Sequence, residues 1–123
     1  MKILSDATTP FGRKAVLCAI ERGIAMDEEF VAIDAQLDAR NPLRQIPVLE
    51  TATGEFLYDS DTIIAYLDTL HSGTPLLPGE GRFELLTRLA LANGVIEAVL
   101  LRTMESRRPD GERSATFMDK LEG

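Results

Sequence analysis

Five of the eleven residues from 71 to 81 are glycine or proline: Gly73, Pro75, Pro78, Gly79 and Gly81. A regular helix or strand does not tolerate that density. Proline removes a backbone donor, and glycine loses the most conformational freedom on ordering. The stretch reads as an interdomain linker at 73–81. It separates residues 1–72, which mix strand and helix signals, from residues 82–123, which are helical in pattern.

In the first region, Lys2 to Leu4 is a short apolar entry with strand character. Thr8-Thr9-Pro10 offers a hydroxyl at a helix N-cap and a proline at the first helical position. Val16, Leu17, Ala19 and Ile20 supply the apolar set of that helix, and Gly23 stops it. Phe30-Val31-Ala32-Ile33 is expected as the next strand. Strand, helix, strand is the order of a parallel crossover unit. Residues 34–43 are irregular, with room for a short helix and a turn signal at Asn41-Pro42. Ile46 to Glu50 and Glu55 to Tyr58 flank Thr53-Gly54 and read as an antiparallel hairpin. Asp59-Ser60-Asp61 then caps a helix carrying Ile63, Ile64, Leu67 and Leu70 at helical spacing. The class is α/β, a four-stranded mixed sheet with helices on its faces.

After the linker, Phe83, Leu86, Leu89, Ala90, Ile96, Val99 and Leu100 describe one amphipathic helix of about 25 residues. It is expected to end before Pro109, with Arg107 and Arg108 in its last turn, where they suit the helix dipole. Ser114 is placed to cap a further helix. One helix and a stub cannot form a helical core, so the apolar face must pack on the first domain or on another subunit, or the sequence is a fragment of a longer chain.

Charge narrows the function. Thirteen Lys and Arg stand against 20 Asp and Glu, a formal net charge of −7. Such a chain repels phosphate backbones, which argues against nucleic-acid binding. Cys18 is the one cysteine and His71 the one histidine, too few for a zinc site or a disulfide framework. Cys18 lies among apolar residues inside the first helix and reads as a core thiol. His71, near a helix C-terminus, reads as a dipole contact. Nothing resembles a glycine-rich phosphate loop, a signal segment or a membrane span. A cytoplasmic address is the expectation, with no metal and no membrane partner.

Four local patterns occur together in order: Thr8-Thr9-Pro10-Phe11-Gly12-Arg13-Lys14, Asn41 through Leu49 (NPLRQIPVL), Tyr58-Asp59-Ser60, and Leu89-Ala90-Leu91-Ala92-Asn93-Gly94. Together they resemble the glutathione S-transferases of bacterial type. The resemblance implies a thioredoxin-like N-terminal domain (βαβ-ββα) over 1–72. It implies that residues 82–123 begin an all-helical C-terminal domain whose remainder is missing.

The resemblance also implies roles. Glutathione is the co-substrate, and its thiolate is the nucleophile. Thr9 falls at the family's Ser or Cys position beside the sulfur, where its hydroxyl donates to the thiolate. It cannot form a mixed disulfide, and Thr8 and Ser5 are nearby substitutes. Ile46-Pro47 matches the cis-proline whose preceding backbone pairs with the cysteinyl part of glutathione. Ser60 and its helix start suit the γ-glutamyl carboxylate, Asp59 the γ-glutamyl ammonium, and Gln45 the glycyl end. Asn93 falls where many relatives carry an acid, and Arg13 and Lys14 are read as solvated or as attracting an anionic ligand at the cleft. The activity implied is conjugation of glutathione to an electrophilic, apolar small molecule, a detoxification chemistry, in a homodimer. The other reading is a truncated, catalytically weak module that binds glutathione or a protein partner through its long helix.

Overall fold

The computed structural model describes residues 1–122. It contains two compact units, Met1–Pro78 and Gly79–Gly123.

The first unit is built on strands β1 (Lys2–Ser5), β2 (Asp27–Phe30), β3 (Val48–Glu50) and β4 (Phe56–Leu57). They lie in the order β2-β1-β3-β4. β1 and β2 are parallel, joined by helix α1 (Pro10–Glu21), and the β1–β3 and β3–β4 pairs are antiparallel. Helix α2 (Ser60–Thr69) follows β4.

Pleating divides the core. Ile3 and Leu49 join Ala15, Cys18, Ala19, Ile63 and Leu67 on the helical side. Leu4 and Val48 point to the other side and pack with Leu37, from a short 3₁₀ turn at Ala35–Leu37. The Asp34 carboxylate starts that turn by accepting from the Gln36 N–H. Successive residues of β1 and β3 thus face opposite layers, as a strand period of two requires.

Several boundaries differ from the sequence reading. β2 is Asp27–Phe30 rather than 30–33, because the parallel register pairs Lys2 with Asp27 and Ser5 with Phe30. It is an edge strand, and its acids Asp27, Glu28 and Glu29 suit an edge that must not pair further. The hairpin strands are shorter than expected, since Pro47 has no N–H for the ladder. In α1 the buried residues are Gly12, Ala15, Cys18 and Ala19. Leu17 and Ile20, expected in its core set, are 57% and 68% exposed. Small residues bring the helix close to the sheet, and the large ones are left on its flank. Leu70 is also exposed.

Asp68 closes the unit. Its carboxylate is paired with Arg22 at 2.8 Å, and it accepts from the Leu76 and Leu77 N–H groups, tying 76–77 back onto α2. Burial would raise the Asp68 pKa, but these backbone donors and the Arg22 charge hold it below the ordinary range. Cys18 is buried and its thiol is pushed up by burial, then by the Asp68 charge, as an inert core thiol should be. His71 accepts from the Gly73 N–H through Nδ1.

The second unit holds α3 (Arg82–Ser106, 25 residues) and α4 (Ala115–Glu122). Arg107 caps α3 and Arg108 lies beyond it, so neither is in the last turn as expected. Arg108 pairs instead with Glu105, which also accepts from the Ser114 N–H. The Ser114 hydroxyl accepts from the Phe117 N–H and caps α4, and Arg102 pairs with Glu122 across the two helices. No described helix is long and apolar enough to cross a membrane.

Candidate active site

The strand register collects the predicted residues at one end of the sheet. β1 ends at Ser5, and Leu4 pairs with Val48. One step further along β1 leads to the Asp6–Thr9 loop, and one step back along β3 reaches Pro47. Leu49 pairs with Leu57, so the chain leaving β4 through Tyr58 and Asp59 climbs to the same level. Thr9, Ile46-Pro47 and Asp59-Ser60 are therefore neighbours in height at the carboxyl end of β1, although they lie far apart in sequence.

At the start of α1 the Asp6 carboxylate organises the loop. One oxygen accepts from the Thr8 N–H at 2.6 Å, the Thr8 hydroxyl at 2.9 Å and the Thr9 N–H at 2.6 Å. Partial burial alone would raise the Asp6 pKa, but these three donors outweigh it and hold the carboxyl below the usual range. Thr9 occupies the N-cap position of α1, yet its side chain makes no capping hydrogen bond, contrary to the expectation of a capping hydroxyl. The Thr9 methyl lies over Gly12, where a Cβ would be 2.6 Å from it and would collide with the Ser5 hydroxyl. With its methyl seated there, the Thr9 hydroxyl has no partner among the described residues. Pro10 has no N–H, and those of Phe11 and Gly12 lack an acceptor in the first turn. Ser5 is fully buried, its hydroxyl 3.4 Å from the Asp6 carbonyl, so it is not an exposed substitute for Thr9.

The second element is the Gln45-Ile46-Pro47 segment, in which the Ile46–Pro47 peptide is cis. Two residues to which the sequence assigned no part in the site hold it. Asn41 is 1% exposed; its side-chain amide donates to the Gln45 carbonyl at 2.8 Å, and its oxygen accepts from the Leu43 N–H. Arg44 has a φ of 51° and is gripped by Asp38 through two hydrogen bonds of 2.7 Å each. The Asn41-Pro42 turn signal was legible, but the Asn41 contact to Gln45 needs the tertiary path. Gln45 is exposed, Ile46 half-buried and Pro47 buried.

The third element is the start of α2. Asp59 caps it, accepting from the Asp61 and Thr62 N–H groups. Ser60 is the first helical residue and 4% exposed, with no hydrogen-bond partner for its hydroxyl among the described residues. Asp61, next along, pairs with Lys14 of α1 and links the two helix starts. Lys14, read as solvated from sequence, is thus partnered; it also lies 5.8 Å from the Phe11 ring centroid.

Beside Thr9, a groove of about 240 Å³ runs down the flank of α1. Its floor and walls include Thr9, Arg13, Val16, Leu17, Ile20 and Phe30.

This is a thioredoxin-like α/β unit with an uncapped helix start at the end of its sheet, followed by a helical part. Residues 8–70 match the family model described as glutathione S-transferase, N-terminal domain. The chain belongs to the glutathione S-transferase family. It is 33% identical over 121 residues to the GST-like protein YibF of Escherichia coli (strain K12), covering 93% of this chain and 59% of that protein. A glutathione S-transferase from Methylobacillus flagellatus KT, solved with glutathione bound, superposes with a TM-score of 0.90 at 35% identity, over 98% of this chain and 62% of that one. A glutathione transferase family member from Pseudomonas fluorescens Pf-5, also with bound glutathione, gives a TM-score of 0.86 at 33% identity, over 98% and 64%. The chain thus spans about three-fifths of the length of these relatives.

Proposed function

We propose that this chain binds glutathione at the carboxyl end of β1 and presents its thiolate to an electrophilic small molecule. The tripeptide's sulfur lies at the start of α1, where two N–H groups without acceptors and the dipole favour an anion. The Thr9 hydroxyl donates to the thiolate, which lowers the thiol pKa and raises the fraction of nucleophile. The Ile46 backbone pairs with the cysteinyl residue, Pro47 shapes that edge, and Gln45 meets the glycyl end. Ser60 binds the γ-glutamyl carboxylate and Asp59 the ammonium. Conjugation then forms a carbon–sulfur bond as the electrophile's leaving group departs, with the enzyme supplying thiolate and proximity. The setting is a cytoplasmic homodimer.

The observation that carries this reading is the contrast at Thr9: a helix N-cap whose hydroxyl is left unpaired by its own helix, in a chain whose relatives of known structure hold glutathione. Thermal melting with and without millimolar glutathione tests it. Ligand at about 100 times its Kd adds roughly 2.7 kcal/mol, several degrees for a domain of this size. An unchanged cooperative melt overturns the glutathione site.

A second reading rests on Leu91, Val95 and Val99, at i, i+4 and i+8 on α3 and each more than half exposed. On that reading the long helix holds a protein partner, and glutathione leaves the melt unmoved while the mass in gel filtration exceeds that of one chain.

A further inference from the structure

The start of α2 carries more negative charge than suits an anion. Asp59 and Asp61 flank Ser60 on both sides. Ser60 is 4% exposed, and its hydroxyl has no hydrogen-bond partner among the described residues. It is the hydroxyl to which the γ-glutamyl carboxylate is assigned. A carboxylate brought there meets two like charges, and each of them offsets the partial positive charge of the helix N-terminus.

The two acids are compensated differently. Asp59 is turned into its own helix, where one oxygen accepts from the Asp61 and Thr62 N–H groups at 3.1 and 3.3 Å. It is also the acid assigned to the ligand's ammonium. Asp61 is not part of that cap. Its carboxylate pairs with Lys14, which comes from the second turn of α1, 47 residues earlier in the chain. The pair is sheltered: the Lys14 side chain is 19% exposed and that of Asp61 36%. The Lys14 ammonium also lies 5.8 Å from the Phe11 ring centroid, within reach of the ring's negative face. A pair in that setting is screened by salt less than one on an open surface.

We infer that Lys14 is a positioning residue for glutathione: by neutralising Asp61 it lets the start of α2 accept the γ-glutamyl carboxylate beside Ser60. The inference rests on the proposed function and adds a residue outside the binding set named there. Lys14 does not touch the carboxylate; it acts through Asp61. With Lys14 in place, Asp59 balances the ligand's ammonium, Lys14 balances Asp61, and the helix N-terminus is left for the carboxylate. Without Lys14, an uncompensated acid stands one residue from Ser60, and its repulsion across a half-exposed site is worth about fivefold in affinity. The consequence is selective. It bears on the α-carboxylate of the ligand, and not on its thiol, its cysteinyl backbone or its glycyl end.

The test follows glutathione binding to the full chain by calorimetry in the parent, Lys14→Met, Asp61→Asn and the double variant, each first checked by urea unfolding. Lys14→Met is expected to raise the glutathione Kd about fivefold at low salt, and adding Asp61→Asn to it is expected to restore the parent's affinity. A merely structural brace behaves otherwise, because the double variant lacks the pair altogether and would bind as weakly as Lys14→Met. That outcome, or Lys14→Met at the parent's affinity, overturns the inference. The second readout is γ-aminobutyryl-cysteinylglycine, which is glutathione without its α-carboxylate. Its affinity is expected to be the same in parent and Lys14→Met, and an equal loss with both ligands overturns the inference. If Lys14→Met does not fold, Asp61→Asn alone decides: it is expected to bind glutathione at least as tightly as the parent, and weaker binding overturns the inference. A parent that does not bind glutathione defeats the proposed function and the role of Lys14 together, whereas a parent that binds, with no effect of Lys14→Met, defeats the role of Lys14 alone.

Discussion

The two helix starts at the end of the sheet are built in opposite ways. At α2, Asp59 accepts from the Asp61 and Thr62 N–H groups, so the helix satisfies its own first turn. At α1, Thr9 stands in the same position but its side chain caps no N–H; its methyl lies over Gly12 and its own N–H is held by Asp6. A capped start is finished as structure; an uncapped one retains donors for a ligand. The difference separates a residue that stabilises the fold from one placed to act, although both read as ordinary caps in the sequence. It also narrows the part Asp59 can play toward glutathione, since one carboxylate oxygen is already shared between two backbone donors.

Three substitutions probe this contrast, in order of expected effect. Gly12→Ala pushes a methyl into Ser5 and Thr9, and overpacking of this kind costs about 1–3 kcal/mol. Urea unfolding should show the loss, and glutathione should stabilise the variant less than the parent. Full stability with full glutathione response would mean that Thr9 is not seated by Gly12. The second test pairs Asp59→Ala with Thr9→Ala. The first should cost about 1 kcal/mol, as loss of a working N-cap does, and the second under about 0.5 kcal/mol. Thr9→Ala should instead raise the pKa of the bound glutathione thiol by somewhat under one unit, the worth of one hydrogen bond of about 1 kcal/mol. Thiolate absorbance across a pH series reads that shift, and an identical titration in variant and parent removes Thr9 from the chemistry.

The smallest effect concerns acid. The folded Asp6 carboxyl titrates below its ordinary value, so what it contributes is fully present above about pH 3.9 and is lost as the pH falls through the lower folded value. Slow exchange of the Thr8 and Thr9 N–H groups should therefore persist at pH 4 and be lost only as the pH falls through that lower folded value. Exchange that is already fast at pH 4 would show that the Asp6 carboxylate does not hold these N–H groups.

Much of this was legible from residue order. The β-α-β and β-β-α succession, the length of α3 and the Ser114 cap follow from local punctuation by proline, glycine and small hydroxyl residues. The candidate site residues were named through motif resemblance, and the register explains why such distant segments meet at one end of the sheet. The failures are instructive. Phe30, Val31 and Ile33 are β-branched or aromatic, but the ladder with β1 selected Asp27–Phe30, because pairing partners and not propensity decide an edge strand. Leu17 and Ile20 have the spacing of a core face, but the close approach of α1 admits only Gly12, Ala15, Cys18 and Ala19 beneath it. Asn41 and Arg44 act on Gln45 and its neighbours through a buried amide and a positive φ, neither of which leaves a mark in composition.

By itself the sequence determined the chain's acidity, its α/β order and the residue types available for thiol chemistry. These are properties of the local chain, fixed by side-chain charge and by backbone freedom at single positions. The tertiary structure decided which of two equivalent caps is spent and which is spare. It also turned the flank of α1 into a groove and left Arg13 without a partner while Lys14 was paired. Those outcomes depend on distances between segments tens of residues apart, set by strand register and by how closely a helix of small residues can approach the sheet.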